Sequence, residues 1–120
     1  MPLTIATWNI NSVRLRQDLV AKLIAEHAPD VVCLQETKCP NDAFPSKIFE
    51  KLGYGQIAIN GQKGYHGVAV LSRRPMQEVV ARPFCDMGDS RHIAVDVQGS
   101  TGKSVRIHNF YVPAGGDEPD

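Results

Sequence analysis

A carboxylate follows directly after an apolar run in this sequence. Residues 31–36 read VVCLQE, so four apolar residues and one glutamine precede Glu36. The run predicts a short buried strand, which an ordinary surface glutamate does not need. Mg²⁺ in proteins is held by one or two carboxylates together with waters and substrate oxygens. A single Glu36 is therefore enough to anchor a divalent metal; the alternative is a strand-end glutamate in a salt bridge.

Two asparagines occupy the corresponding position after an earlier strand. The pattern predicts a strand over residues 3–9, which ends at Asn9, and Asn11 follows two residues later. The amide of Asn9 both donates and accepts hydrogen bonds, so it can orient Glu36 or a metal-bound water. Its alternative is an asparagine that ends the strand by turn chemistry.

A helix predicted between these two strands brings their ends together. Ser12 can cap a helix over residues 12–27, whose apolar face is predicted to contain Leu15, Leu19, Leu23 and Ile24. Pro29 ends the helix, and the second strand begins at Val31. Strands joined in this way are parallel neighbours, and ligands bind at the carboxyl ends of parallel strands in α/β sheets. This placement favours a functional role for Glu36.

The remaining apolar segments predict a second, short helix that ends near Leu52 and five further strands. These strands are predicted over residues 54–59, 67–72, 76–82, 91–97 and 105–112. Helices early in the chain and strands late in it imply an α/β fold with a mixed, mostly antiparallel sheet and helices on one face. The other face is apolar, and nothing in the chain is predicted to cover it.

Composition indicates one globular domain without a global basic surface. The chain has 120 residues, of which 42% are hydrophobic and 22% charged. Its 13 basic and 13 acidic residues cancel, so any site for a polyanion must be a local patch. The three cysteines show no CxxC spacing, which disfavours a zinc site and favours a reduced, cytoplasmic setting. No apolar run is long enough for a membrane span.

Two glycine-rich stretches and the histidines resemble functional motifs only superficially. GSTGKS (99–104) lacks the first glycine of a P-loop, because Val97 occupies that position, and a hairpin turn is predicted instead. GQKGYHG (61–67) could cradle a phosphate, but no helix pattern follows it. No two histidines have the spacing of metal ligands, so each is predicted to be structural.

Four motifs, taken in order, resemble those of the exonuclease III family of apurinic/apyrimidinic endonucleases, within the endonuclease/exonuclease/phosphatase superfamily. The motifs are TWNINSVR (7–14), LQETK (34–38), GYHGVAVLSR (64–73) and NFYVPAG (109–115). LQE alone is typical of the superfamily. LQETK with a later NxYxPxG is typical of the DNA-repair branch rather than of enzymes acting on inositol phosphates or sphingomyelin. The resemblance covers residues 3–115.

The resemblance implies both a fold and an activity. The fold would be a four-layered α/β sandwich of two packed sheets, of which residues 1–120 supply the N-terminal half. The activity would be that of a DNA-repair phosphodiesterase that uses Mg²⁺, with Mn²⁺ as a possible substitute. Such an enzyme incises double-stranded DNA 5′ to abasic sites and acts on 3′ ends as a 3′–5′ exonuclease. The complete protein is expected to be a monomer that has no membrane partner.

The same resemblance assigns roles to individual residues. Glu36 and Asn9 would hold the metal, Asn9 would also act in catalysis, and Tyr111 would donate to the phosphate or assist as phenolate. The alternative for Tyr111 is an aromatic residue that fills the core. Residues supporting the site would be Lys38, Asn11 and Asn109. Contacts to the DNA backbone would come from Arg14, Gly64, Tyr65 and His66.

Two further motifs expected from the resemblance do not occur in these 120 residues. They are GDxN and a late SDH, whose residues would activate the attacking water and bind the phosphate. The 120-residue chain alone is therefore expected not to incise DNA. The alternative function is that of a catalytically incompetent fragment, which binds DNA weakly or acts as a complementing half. For Arg14, the alternative to a DNA contact is a solvated helix charge.

Overall fold

Seven strands and two α-helices are present in the part of the chain that the structure describes. The structure is a computed structural model, and it describes residues 3–60, 67–79, 92–99 and 102–110. The elements are β1 Ile5–Asn9, α1 Val13–His27, β2 Val31–Gln35, a 3₁₀ turn Asn41–Ala43, α2 Ser46–Lys51, β3 Gln56–Asn60, β4 Val68–Ser72, β5 Met76–Val79, β6 His92–Gln98 and β7 Ser104–Phe110.

The strands form two sheets. The first has the order β1-β2-β4-β3, in which β1 and β2 are parallel and the other pairs are antiparallel. The second has the order β5-β6-β7 and is antiparallel. The predicted parallel β1–α1–β2 unit and the later antiparallel strands are therefore confirmed, and the chain has a mixed α/β fold.

The first sheet has an apolar core on each face. One face packs against α1 and α2 through Val32, Leu34, Ala69 and Leu71. The opposite face of β2, β3 and β4 packs against β6 through residues such as Val31, Val70, Ile93 and Val95. The expectation that nothing in the chain covers this second face was therefore wrong for these strands. It holds at β1, where Ile5 remains 46% exposed.

Of the predicted apolar face of α1, only Ile24 is fully buried. The buried residues of this helix are Val13, Val20 and Ile24, whereas Leu15 and Leu19 are 80% and 49% exposed. Both sets recur at helical spacing, so periodicity alone cannot choose between them. Tertiary contact decides, because the Val13 N–H donates to the Thr37 carbonyl at 3.0 Å and fixes which side of the helix meets the sheet.

The predicted hairpin turn at 99–104 is also confirmed. Gly99 N–H donates to the Lys103 carbonyl at 2.8 Å, and these two residues lie between the antiparallel strands β6 and β7. No helix in the described ranges is long and apolar enough to cross a membrane.

Candidate active site

The polar ends of β1 and β2 continue side by side beyond the strands. Asn9 is in register with Gln35, and Ile10 N–H donates to the Gln35 carbonyl at 2.9 Å. One step further, Ser12 N–H donates to the Glu36 carbonyl at 2.8 Å. These bonds bring residues 9–12 alongside residues 35–36 at one edge of the sheet, as the parallel arrangement predicts.

Glu36 is held in a left-handed backbone conformation. Its φ is 54°, which non-glycine residues adopt only at a cost. The next residue, Thr37, is buried, and its N–H donates to the Gly67 carbonyl at 3.0 Å. A Cβ at Gly67 would lie 2.3 Å from the Thr37 Oγ1, and the φ of Gly67 is +97°. Only glycine therefore allows the β4 entry to approach this closely and support the Glu36 turn.

The side chains of Glu36 and Asn9 are available to a ligand. Glu36 is half-buried and Asn9 is exposed. Neither side chain has a hydrogen-bond partner among residues 3–60, 67–79, 92–99 and 102–110. A carboxylate and an amide oxygen are hard donors of the kind that Mg²⁺ prefers, so this pair fits magnesium. Within those ranges no three histidine, cysteine or carboxylate side chains form a metal-binding group.

Two cationic side chains meet at Asn11, next to this pair. The Lys38 ammonium donates to Asn11 Oδ1 at 2.6 Å, and the Arg16 guanidinium donates to the Asn11 carbonyl. Lys38 was predicted to support the site, and its hydrogen bond in the described structure goes to Asn11 rather than to the Glu36 carboxylate. Arg16 was not predicted, because a charged residue in a helical segment carries no signal of this contact. Together they add local positive charge to a chain whose net charge is zero.

Below the site, Asn109 connects the two sheets. Its side chain is buried, and its Nδ2 donates to the carbonyls of Leu34 and Ala69 at 3.1 and 2.8 Å. Its Oδ1 accepts a bond of 2.8 Å from Gln35 Nε2, which also donates to Thr7 Oγ1 at 2.9 Å. Asn109 was predicted to support the site, and these bonds hold it beside the end of β2; Gln35 had been assigned no role.

The remaining predicted residues lie at the periphery or outside the described ranges. Arg14 is exposed; burial raises the pKa of the Cys39 thiol, and the nearby Arg14 guanidinium opposes that rise. The role of Arg14 as a DNA contact stays a prediction. Burial also raises the pKa of Cys33 to about 11, as expected for a reduced core thiol. The predictions for Tyr111, Gly64, Tyr65 and His66 concern residues outside the described part of the chain.

The chain therefore has a mixed α/β fold with a half-buried carboxylate, Glu36, and an exposed amide, Asn9, at the ends of two parallel strands. Residues 6–115 match the Endonuclease/Exonuclease/phosphatase family, and the chain belongs to it. The sequence-based resemblance to the exonuclease III and apurinic/apyrimidinic endonuclease branch is confirmed by the relatives below.

Relatives in sequence and in structure agree. The exodeoxyribonuclease III of Haemophilus influenzae is 38% identical over 112 residues, which are 91% of this chain and 41% of that protein. An AP endonuclease from Archaeoglobus fulgidus superimposes with a TM-score of 0.83 at 36% identity, over 95% of this chain and 42% of the other. The structure of the 3′ phosphatase NExo from Neisseria, bound to a product DNA hairpin, superimposes with a TM-score of 0.81 at 37% identity. The match covers 92% of this chain and 41% of that one. The chain thus spans about two fifths of the length of these relatives.

Proposed function

We propose that this chain carries the metal-binding half of a DNA-repair phosphodiesterase. The reaction would be Mg²⁺-dependent incision of duplex DNA 5′ to an abasic site, together with 3′–5′ exonuclease activity, and Mn²⁺ would substitute. The observation that carries the proposal is the pair Glu36 and Asn9 at the joined ends of two parallel strands, whose side chains have no hydrogen-bond partner among the described residues. Similarity to an AP endonuclease and to a DNA-bound 3′ phosphatase supports DNA as the substrate. The expected setting is the cytoplasm, and the expected state of the complete protein is a monomer.

Each side chain at this edge has a chemical role in the proposal. A magnesium ion held by Glu36 and Asn9 would neutralise charge that develops on the phosphoryl oxygens. Asn11 keeps the Lys38 ammonium beside that position, where it attracts the DNA phosphate. Tyr111 would donate its phenolic proton to a phosphate oxygen. Arg14, Gly64, Tyr65 and His66 would hold the DNA backbone without reading its sequence.

The second candidate function is that of an incompetent fragment or complementing half, and one observation favours it. The GDxN and SDH motifs are not in these 120 residues, so the groups proposed to activate water are not in them either. We therefore propose that the 120 residues bind the metal and DNA weakly and do not incise alone.

An incision assay tests both proposals. The substrate is duplex DNA with one abasic analogue, with Mg²⁺ and then with excess chelator. The samples are the 120-residue chain and a chimaera in which the remainder of the Haemophilus influenzae exodeoxyribonuclease III follows it. We expect no incision by the chain and chelator-sensitive incision by the chimaera. Chelator-sensitive incision by the chain alone would overturn the proposal that it is an incompetent fragment. A folded chimaera without incision would overturn the proposed phosphodiesterase function.

A further inference from the structure

A row of residues in register, three of them with side-chain amides, crosses the first sheet at the edge of the candidate site. Asn9, Gln35, Val68 and Asn60 are in register across β1, β2, β4 and β3. Two of its amides are satisfied by the second sheet, since Asn60 Nδ2 donates to the His92 carbonyl at 2.8 Å and Gln35 Nε2 donates to Asn109 at 2.8 Å. Asn9, on the edge strand, is exposed. The second sheet thus secures the residue immediately before Glu36.

The hydrogen bonds of Asn109 fix the orientation of its side-chain amide. It is 3% exposed, and its amide hydrogens are both used, one on the carbonyl of Leu34 and one on that of Ala69. Its oxygen can then only accept, and Gln35 Nε2 supplies the donor. Breaking one partner of such a buried amide leaves unsatisfied polar groups, which is costlier than the bond itself is stabilising.

Gln35 connects Asn109 to Glu36, the next residue in the chain. Its amide is fixed at two points, Asn109 Oδ1 and Thr7 Oγ1, so its side chain joins β7 to both β1 and β2. Glu36, the next residue, has a φ of 54°, and such a conformation persists only where the surroundings determine it. The Thr37–Gly67 hydrogen bond restrains the other side of the turn.

We propose that Gln35 and Asn109 are positioning residues that hold the Glu36 turn in place and set it relative to the end of β7. The inference rests on the proposed function for the role of Glu36 as a metal ligand. Tyr111 is two residues beyond Asn109 in the sequence, so the same bridge links the strand that leads to Tyr111 with the strand that leads to Glu36. Neither positioning residue is proposed to touch the reacting atoms.

Three amide hydrogens report on the turn without metal or activity. They belong to Ser12, Val13 and Thr37, which donate to the carbonyls of Glu36, Thr37 and Gly67. Native-state hydrogen exchange of the full 120-residue chain is measured for the wild type, Asn109→Leu and Gln35→Met. The matched control is Asn60→Leu, which removes one bond to the second sheet from the same row. Urea unfolding corrects each variant for its global stability.

We expect Asn109→Leu and Gln35→Met to speed exchange of these three amides by about tenfold or more relative to the amides of β6. Asn60→Leu should leave that ratio unchanged. Equal ratios in all variants would overturn the inference. If Asn109→Leu does not fold, Gln35→Met decides alone, because its side chain is only partly buried.

Mg²⁺ titration of the same samples separates this inference from the proposed function. Where the wild type binds Mg²⁺, both positioning variants should weaken its affinity by about 10- to 100-fold, the usual effect of residues that orient a metal ligand. Unchanged affinity together with unchanged exchange would overturn the inference and leave the metal site standing. A wild type that binds no Mg²⁺ but shows the local exchange effect would overturn the metal site and support the bridge.

Discussion

Two carboxylates flank β2, and their surroundings differ. Asp30, before the strand, accepts the Thr4 N–H at 2.9 Å and the Thr4 hydroxyl at 3.0 Å on Oδ2. Its Oδ1 accepts the Arg73 Nε–H at 3.2 Å. Glu36, after the strand, accepts no hydrogen bond on its carboxylate from any residue in the described ranges. One carboxylate is thus bonded on both oxygens, whereas the other has no hydrogen-bond donor in the part of the chain that the structure describes.

The backbone conformation also differs between the two ends of β2. Positive φ values of non-glycine residues in the described part occur at Asn11, Ser12, Ala28, Glu36 and Lys38. Four of these lie at the Glu36 end, whereas Ala28 ends helix α1 with an ordinary left-handed cap. Strained backbone with unsatisfied ligands characterises functional sites, and saturated hydrogen bonding characterises structural ones. The difference supports the proposal that Asp30 stabilises the fold and that function lies at the Glu36 end.

The largest expected effect is on activity, from Glu36→Gln in the incision-competent chimaera. We expect incision to fall on the order of 1000-fold, because the metal ligand and its charge are lost, while DNA binding changes little. Steady-state rates on the abasic duplex and a binding titration measure both effects. Glu26→Gln, on the exposed surface of α1, is the matched control and should leave the rate unchanged. An unaltered rate in Glu36→Gln would exclude the metal role.

Gly67→Ala should give the largest loss of stability. The new Cβ would lie 2.3 Å from Thr37 Oγ1 on a backbone with a φ of +97°. We expect the free energy of unfolding to fall by about 3 kcal/mol, measured by urea denaturation.

Gly53→Ala is the control for the clash in Gly67→Ala. Gly53 has a similar φ of +96° but no atom within 4 Å of the added carbon. Its loss should be limited to about 1 kcal/mol. Equal losses at the two glycines would mean that close packing against Thr37 does not matter.

Asp30→Asn should lower the stability less than Gly67→Ala does. The size of this loss should depend on pH. The Thr4 backbone N–H, assisted by the Thr4 hydroxyl and Arg73, holds the pKa of Asp30 below its usual 3.8 against the opposing effect of burial. The folded state therefore gains stability from Asp30 above pH ~4, and this gain is lost as the pH falls through the lower, folded pKa. We expect a loss of about 2 kcal/mol at pH 7.

Urea unfolding at pH 7 and pH 3 tests this linkage. The difference between Asp30→Asn and the wild type should shrink at the lower pH. Incision by the chimaera should not change, because Asp30 lies at the opposite end of β2 from Glu36. A difference that grows on acidification would contradict the assignment of Asp30 as a saturated, structural carboxylate.

The smallest expected effect is a gain in stability from Ser12→Gly. Ser12 has φ 87° and ψ 99°, and its side chain makes no capping hydrogen bond. Glycine adopts this conformation without the steric cost, which outweighs its greater freedom in the unfolded chain. The predicted capping role of Ser12 is thus not realised, although helix α1 does begin just after it. We expect the free energy of unfolding to rise by about 1 kcal/mol in urea; a loss would show that Ser12 is unstrained.

Sequence patterns predict those parts of the fold that depend on neighbouring residues. The β1–α1–β2 unit, the hairpin turn and the position of Glu36 follow from local periodicity and from the geometry of parallel strands. The division into two sheets could not be predicted in this way. Ile93, Val95 and Val97 alternate with other residues along β6, which indicates one buried face but not the sheet against which that face packs.

The site divides along the same line. Glu36 and Asn9 were predicted from their places at the ends of two strands and from the family resemblance. The partner of Lys38 was not, because a long side chain can reach several acceptors, and Asn11 is selected only in the folded chain. Gly67 was missed because its requirement comes from the close approach of Thr37, a contact between distant segments.

Paramagnetic broadening of the amide NMR signals of the 120-residue chain by Mn²⁺ shows whether Glu36 holds a metal ion. Substoichiometric Mn²⁺ is expected to broaden the signals of Asn9, Ile10 and Glu36 first. This broadening should vanish in Glu36→Gln and persist in Asp30→Asn. Broadening that centres on Asp30, or that is unchanged in Glu36→Gln, would contradict metal binding by Glu36.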